Sequence, residues 1–176
     1  GYGRASNNSD IVVVRYNIDG SLDTTFNSDG IVTTPIGNSS DFGFAVAIQA
    51  DDKIVVAGSS AGFALVRYNT DGSLDSTFSF DGKLTTSLGN SSEALSIALQ
   101  ADGKIVVAGY GSQSGAVDVA LARYNTDGSL DLSFDGDGKV VTDISGFLDR
   151  AYSVDIQNDG RIVVAGVSYD SLNSNF

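Results

Sequence analysis

Apolar residues fall in short runs closed by Asp-Gly, Asn or Ser clusters. Phe44-Ala-Val-Ala-Ile48, Lys53-Ile-Val-Val-Ala57, Phe63-Ala-Leu-Val-Arg-Tyr68 and Lys83-Leu-Thr-Thr86 follow one another in this way. β-branched and aromatic residues dominate, no run reaches helical length, and no 3.6-residue pattern emerges. Each run is therefore predicted as a strand, and the four together as an antiparallel meander. The first strand alternates large and small side chains: Phe44, Val46 and Ile48 against Gly43, Ala45 and Ala47. Leu95, Ile97 and Leu99 repeat the pattern against Ala94, Ser96 and Ala98, as do Tyr152, Val154 and Ile156 against Ala151, Ser153 and Asp155. A close-packed small face suits the innermost strand of a blade. The second strand is apolar on both faces, as in Ile105-Val-Val-Ala108, and must lie inside a stack of sheets. The fourth is short and Thr-rich, which suits an outer edge.

The unit recurs. Arg15-Tyr-Asn-Ile-Asp-Gly-Ser-Leu-Asp23 returns at Arg67–Asp75 and Arg123–Asp131, at intervals of 52 and 56 residues. Lys53-Ile-Val-Val-Ala-Gly58 keeps step with it at Lys104–Gly109 and Arg161–Gly166. A fixed period of this length means one supersecondary unit stacked on its copies. Four-stranded units stacked about an axis make a β-propeller; a β-solenoid has shorter rungs and fewer hairpin turns. The strings RYNTDGSLD, FDGDGK and LQADGKIVVAG resemble the delta-60 repeat, a propeller-type repeat found in tandem in large bacterial secreted and surface proteins. The resemblance covers essentially the whole chain. It implies a secreted or cell-surface location and carries no general catalytic residues. Asp52 departs from it, standing where the family prefers Gly, and Ile31 stands where later copies have Lys83 and Lys139.

The expected fold is thus all-β, a propeller-type repeat of four-stranded antiparallel blades. The chain holds about three blades' worth, with a half-blade at each end. The expected boundaries are a half-blade at 1–36, blades at 41–87 and 92–143, and a half-blade at 149–169. Gly166–Phe176 aligns without gaps on Gly1–Ile11. Three blades do not close a ring. The chain therefore reads as a piece of a longer propeller or array; the alternatives are a ring closed by two copies, or a head-to-tail filament through the half-blades.

Composition narrows the chemistry. The chain has 176 residues, 41% of them hydrophobic, enough for a sizeable core. It has no Cys, Met, Trp or His. An imidazole base, a thiolate nucleophile and an ordinary zinc site are excluded. The net charge is −12, and all 22 acids but Glu93 are Asp. The surplus of acid argues against nucleic acid as a partner. The bias to Asp reflects a fold rich in turns. No apolar run is long enough for a membrane helix, so no membrane insertion is expected.

The Asn-x-Asp-Gly-Ser-Leu-Asp phrase invites a calcium reading, which fails on spacing. Aligning its Gly on the glycine of an EF-hand loop puts Arg first and Phe last in all three copies. The phrase is read instead as a corner, with Arg67 or Arg123 pairing Asp75 or Asp131. Asp135 and Asp137, which add acids in a combination unique to their copy, are the candidate metal ligands. No cofactor is expected, with calcium left open. Antiparallel order puts the invariant turns on one face and the variable loops on the other, and function on a repeat scaffold resides where copies differ. The candidate ligand contacts are therefore Asp41, Glu93, Tyr110, Gln113, Asp118, Asp149 and Arg150, with Asp155 on the inner strand. The expected function is a non-catalytic structural and binding module that recognises protein or glycan and self-assembles through its half-blades. The alternative is a carboxylate-dependent hydrolase or lyase acting on polysaccharide.

Overall fold

A computed structural model describes residues 2–5, 8–113, 115–144 and 146–170, with side chains described from residue 8 onward and for all of these but Gln113. They form strands and turns, with no helix among the described residues. The first sheet orders β1 (Tyr2–Ala5), β2 (Asn8–Val14) and β3 (Ile31–Thr34). The second orders β4 (Phe42–Ile48), β5 (Ile54–Ser59), β6 (Phe63–Tyr68) and β7 (Lys83–Thr86). The third repeats that meander with β8 (Ser92–Leu99), β9 (Ile105–Gln113), β10 (Ala116–Tyr124) and β11 (Lys139–Thr142). The last hairpin is β12 (Leu148–Ile156) and β13 (Ile162–Tyr169), joined to the third sheet by one parallel pairing, Val117 with Leu148.

Alternation along the second strand of each unit builds three separate cores. Ile54 and Val56 face back toward β2, packing with Ile11, Phe26, Val32, Val66 and Tyr68. Val55 and Ala57 face forward, packing with Phe63, Leu65, Ile105 and Val107. Val106 and Ala108 repeat the forward contact against Ala151 and Val154. Every residue of β5 is buried, as expected for a strand covered on both faces. Each buried Val in it is worth about 1.5–3 kcal/mol relative to exposure. Tyr68 also bonds across the first core, its hydroxyl donating to Thr34 Oγ1 at 2.7 Å.

Each first strand carries a bulge, at Gly43/Ala45, Ala94/Ser96 and Ala151/Ser153. The bulge turns a carbonyl across the neighbouring strand, and the facing residue is the Gly that closes Ile-Val-Val-Ala-Gly. A Cβ on Gly58 would lie 1.7 Å from the Phe42 oxygen, and one on Gly109 1.9 Å from the Glu93 oxygen. Only Gly fits beneath the bulge. Asp52, the departure from the family preference, adopts a left-handed φ of 61° where Gly103 has 83° and Gly160 has 84°.

Candidate functional site

The recurring corner does two jobs. Within its own unit, Arg67 Nε donates to Asp75 Oδ2 at 2.7 Å, and Nη2 donates to Thr77 Oγ1 at 3.1 Å. Lys53 Nζ reaches the same Asp75 oxygen at 3.1 Å. Burial alone would push the Asp75 carboxyl up. The Thr77 hydroxyl and amide, Lys53 and Arg67 together outweigh it and hold Asp75 well below the usual carboxylate range. Arg15–Asp23 and Arg123–Asp131 repeat the pair at 2.8 and 2.7 Å, and Lys104 repeats Lys53. These pairs are the ones the spacing suggests.

The second job joins one unit to the next. Arg67 Nη1 donates to the Thr126 carbonyl in the following unit, as Arg15 Nη1 does to Thr70. The Ser79 and Asn27 amides donate to the Asp127 and Asp71 carbonyls, each at 2.8 Å. Arg15, Arg67 and Arg123 lie over the rings of Phe26, Phe78 and Phe134, 4.6–4.7 Å from their centroids. Gly72 and Gly128 of the following corners sit against Phe26 and Phe78, where a Cβ would meet the ring at 3.0–3.1 Å. The turn thus needs glycine for its positive φ and for contact with the preceding unit. Reading the phrase alone shows the local corner and misses this joint. The missed signal is the Phe that recurs at a fixed distance beyond each Gly.

The variable loops bring together part of the expected set. Glu93 and Tyr110 face each other across β8 and β9, and the Arg150 guanidinium lies 4.5 Å from the Tyr110 ring centroid. Burial, with Glu93 beside it and Arg150 opposing, pushes the Tyr110 hydroxyl up to about 12. Asp41 and Asp149 are fully buried and brace the loops before them. Ile36 N–H donates to Asp41 Oδ2, and Ile144 N–H to Asp149 Oδ2, each at 2.8 Å. Asp118, 5% exposed, lies at the start of β10. One oxygen of its carboxylate lies within 4.8 Å of one oxygen each of Asp143 and Asp149, which lie as close to each other. Burial first, then the charges of Asp143 and Asp149, push the Asp118 carboxyl up. Asp143, which the sequence offers only as the start of a variable loop, completes this group. The Gln113 backbone pairs with Ala116, and its side chain lies outside the described residues.

Other candidates stay apart. Asp155 is exposed, and its Oδ1 accepts from the Ile156 amide at 2.8 Å. Asp137 accepts from the Lys139 amide at 2.9 Å and pairs with Lys139 Nζ at 3.4 Å, an arrangement Asp81 and Lys83 repeat. Asp135 holds a left-handed turn position taken by Asn27 and Ser79 in the earlier copies. Both have turn roles, and neither joins the three-carboxylate group.

Asp135 and Asp137 line one cleft of about 460 Å³ with Ser87, Gly89 and Lys139, and further grooves lie elsewhere. On the invariant-turn face, one of about 650 Å³ runs between successive units and is lined by Gln49, Lys53, Arg67, Gln100 and Asp127. Between β2 and β4 lies a smaller, apolar slot of about 200 Å³, lined by Val12, Val13, Val14, Phe44, Val46 and Val56. Phe44, Val46 and Ile48 are 47, 60 and 57% exposed, whereas Ile97 and Leu99 at the matching register pack against the core that Val55 and Ala57 share.

A family model described as a domain of unknown function, DUF5122 beta-propeller, matches residues 1–26, 49–78, 100–134 and 157–176. No curated protein matches the chain.

Proposed function

The chain belongs to the DUF5122 β-propeller family, and from that premise we propose that it is a non-catalytic structural module that extends its stack of blades by accepting a strand from a second copy. The observation that carries this is the apolar slot between β2 and β4. In the next two units the equivalent space is filled by β5, beside β6 and β8, and by β9, beside β10 and β12. Among the described residues, Val12, Val13 and Val14 pair with β3 alone. β13 has the complementary need. Val163 and Val164 are 48 and 36% exposed, while Val55 and Val56 at the same register are 0 and 4%.

Charge favours the same partner. Asp75 and Asp131 each bind an Arg and a Lys, and Asp23 binds Arg15. Arg161 holds the register of Lys53 and Lys104 but pairs with Asp159 at an exposed site. Laying Ile162–Gly166 of one copy along Val12–Val14 of another, with β1 displaced from Asn8–Ile11 where β13 runs on, seats Val163 and Ala165 against Phe44 and Val46. It also brings Arg161 to Asp23. This is strand addition between unlike surfaces of identical chains, which propagates or closes into a ring. Sedimentation across micromolar to millimolar concentration tests it. Growing particles are expected, and Val163→Asp or Arg161→Glu is expected to return the chain to a monomer. A wild-type chain that stays monomeric throughout overturns the proposal.

Recognition of a protein or glycan is a second reading, supported by the stacked Tyr110 and Arg150 with Glu93 on the variable face. A secreted or cell-surface location belongs to the same proposal and rests on the family resemblance. The polysaccharide hydrolase or lyase is less well supported. Its two carboxyl groups need separations of about 5–5.5 Å or 6.5–9.5 Å. Both groups must also meet the substrate, and Asp118 and Asp149 of the grouped acids are buried.

A further inference from the structure

We propose that Asp118, Asp143 and Asp149 form a binding site for a divalent cation of the calcium class. The three come from different elements: the start of β10, the loop after β11 and the start of β12. One carboxylate oxygen from each converges to within 4.8 Å of the others. Calcium takes oxygen ligands at about 2.3–2.6 Å, so two ligands on opposite sides of one ion stand about 4.6–5.2 Å apart. The spread of this group matches a single shared ion.

A second observation points to a ligand. Asp118 is 5% exposed, and its Oδ1 is buried with no hydrogen-bond partner among the described residues. A buried carboxylate oxygen without donor or cation is costly. The charges that bear on Asp118 are those of Asp143 and Asp149, which add to its own instead of cancelling it. A divalent ion removes both costs together, supplying a partner for Oδ1 and offsetting like charge. Calcium fits better than magnesium, because the acids sit on two strands and a loop and magnesium demands near-ideal octahedral geometry.

The repeat supplies its own controls. At the preceding junction the matching positions are Gly62, Ser87 and Ser92, with no acid. At the first junction they are Asp10, Pro35 and Asp41. Pro35 there removes the third carboxylate, although Asp41 Oδ1 is likewise buried without a hydrogen-bond partner among the described residues.

The test is calorimetric titration of the whole chain with calcium chloride alone, beside thermal melts with calcium or chelator. One ion per chain is expected. The melting temperature is expected to rise by about 5–10 °C at a calcium concentration about 100 times the dissociation constant. Asp143→Asn, an exposed change that leaves the buried acids in place, is expected to abolish both signals. Asp135→Asn with Asp137→Asn is expected to preserve them. The site is overturned by no binding at millimolar calcium, by a full response in Asp143→Asn, or by equal stabilisation with magnesium.

Discussion

At the scale of single residues, the thrice-repeated phrase carries more than a turn. Arg67 is 5% exposed and serves Asp75, Thr77, the Phe78 ring and the carbonyl of Thr126 at once. Removing it leaves Asp75, 3% exposed, to Lys53 and Thr77 without its buried guanidinium. Arg67→Ala is therefore expected to lose about 3 kcal/mol or more, as breaking a buried pair does. Arg15→Ala should cost less, because the Arg15 side chain is 30% exposed and its pair is better solvated. The same contacts set a pH dependence. Asp75 and Asp131 are held below their ordinary carboxylate values, so folding favours their ionised forms. That stability is complete above the unfolded value near pH 4 and drains away as pH falls toward the folded values. Melting temperature followed from pH 6 to pH 2 should hold level and then drop below about pH 4, with a shallower drop in Arg67→Ala. The Arg–Asp pairs were legible from spacing alone. The carbonyl contacts to the following unit were not, because a backbone acceptor leaves no mark in the sequence.

Among elements, the strand pattern is legible in the sequence. Runs at Lys53–Ala57, Phe63–Tyr68 and Lys83–Thr86 coincide with β5, β6 and β7 to within two residues at any end. Alternation sufficed there, because a strand buried on both faces must be apolar throughout. The bulge in each first strand was not legible. The alternation of Phe44, Val46 and Ile48 runs through it without interruption, and the register shift shows only in the pairing with β5. Its one trace is the Gly that ends Ile-Val-Val-Ala-Gly. Gly58→Ala should therefore force the Phe42 carbonyl aside and cost about 1–3 kcal/mol or more, measured by chemical denaturation. Gly20→Ala is the contrast. Its Cβ would meet nothing within 4 Å, so only its φ of 86° opposes the change, at about 1–2 kcal/mol. A loss of under about 0.5 kcal/mol at Gly58 would mean that the bulge does not select the Gly, because Gly58 has no positive φ to oppose a side chain. The acidic group at β10 and β12 was half visible. Asp118 and Asp149 stood out as loop acids, but their meeting with Asp143 depends on how one unit stacks on the next.

For the whole molecule, stability is shared between neighbours, since each core lies between two units. Strands covered on one side only are the weakest parts of such a stack. β13 pairs with β12 on one side, and its outward edge carries the exposed Val163 and Arg161 proposed to fill the slot beside β2. The loop carrying Asp143 lies elsewhere, at the junction of β10 with β12. Hydrogen exchange separates the two proposals within one experiment. In dilute protein, amides on the open edges of Ile162–Gly166 and Val12–Val14 should exchange fast, and those of β5 and β9 slowly. Raising the concentration should protect the first two segments together, because strand addition pairs them with each other. Adding calcium to dilute protein should instead protect 143–149 and leave both edges fast. Protection of the edges by calcium without a change in particle size would mean that the ion tightens the stack from within. In that case the slot between β2 and β4 would not need a second copy to close, and strand addition would fail while the cation site stood.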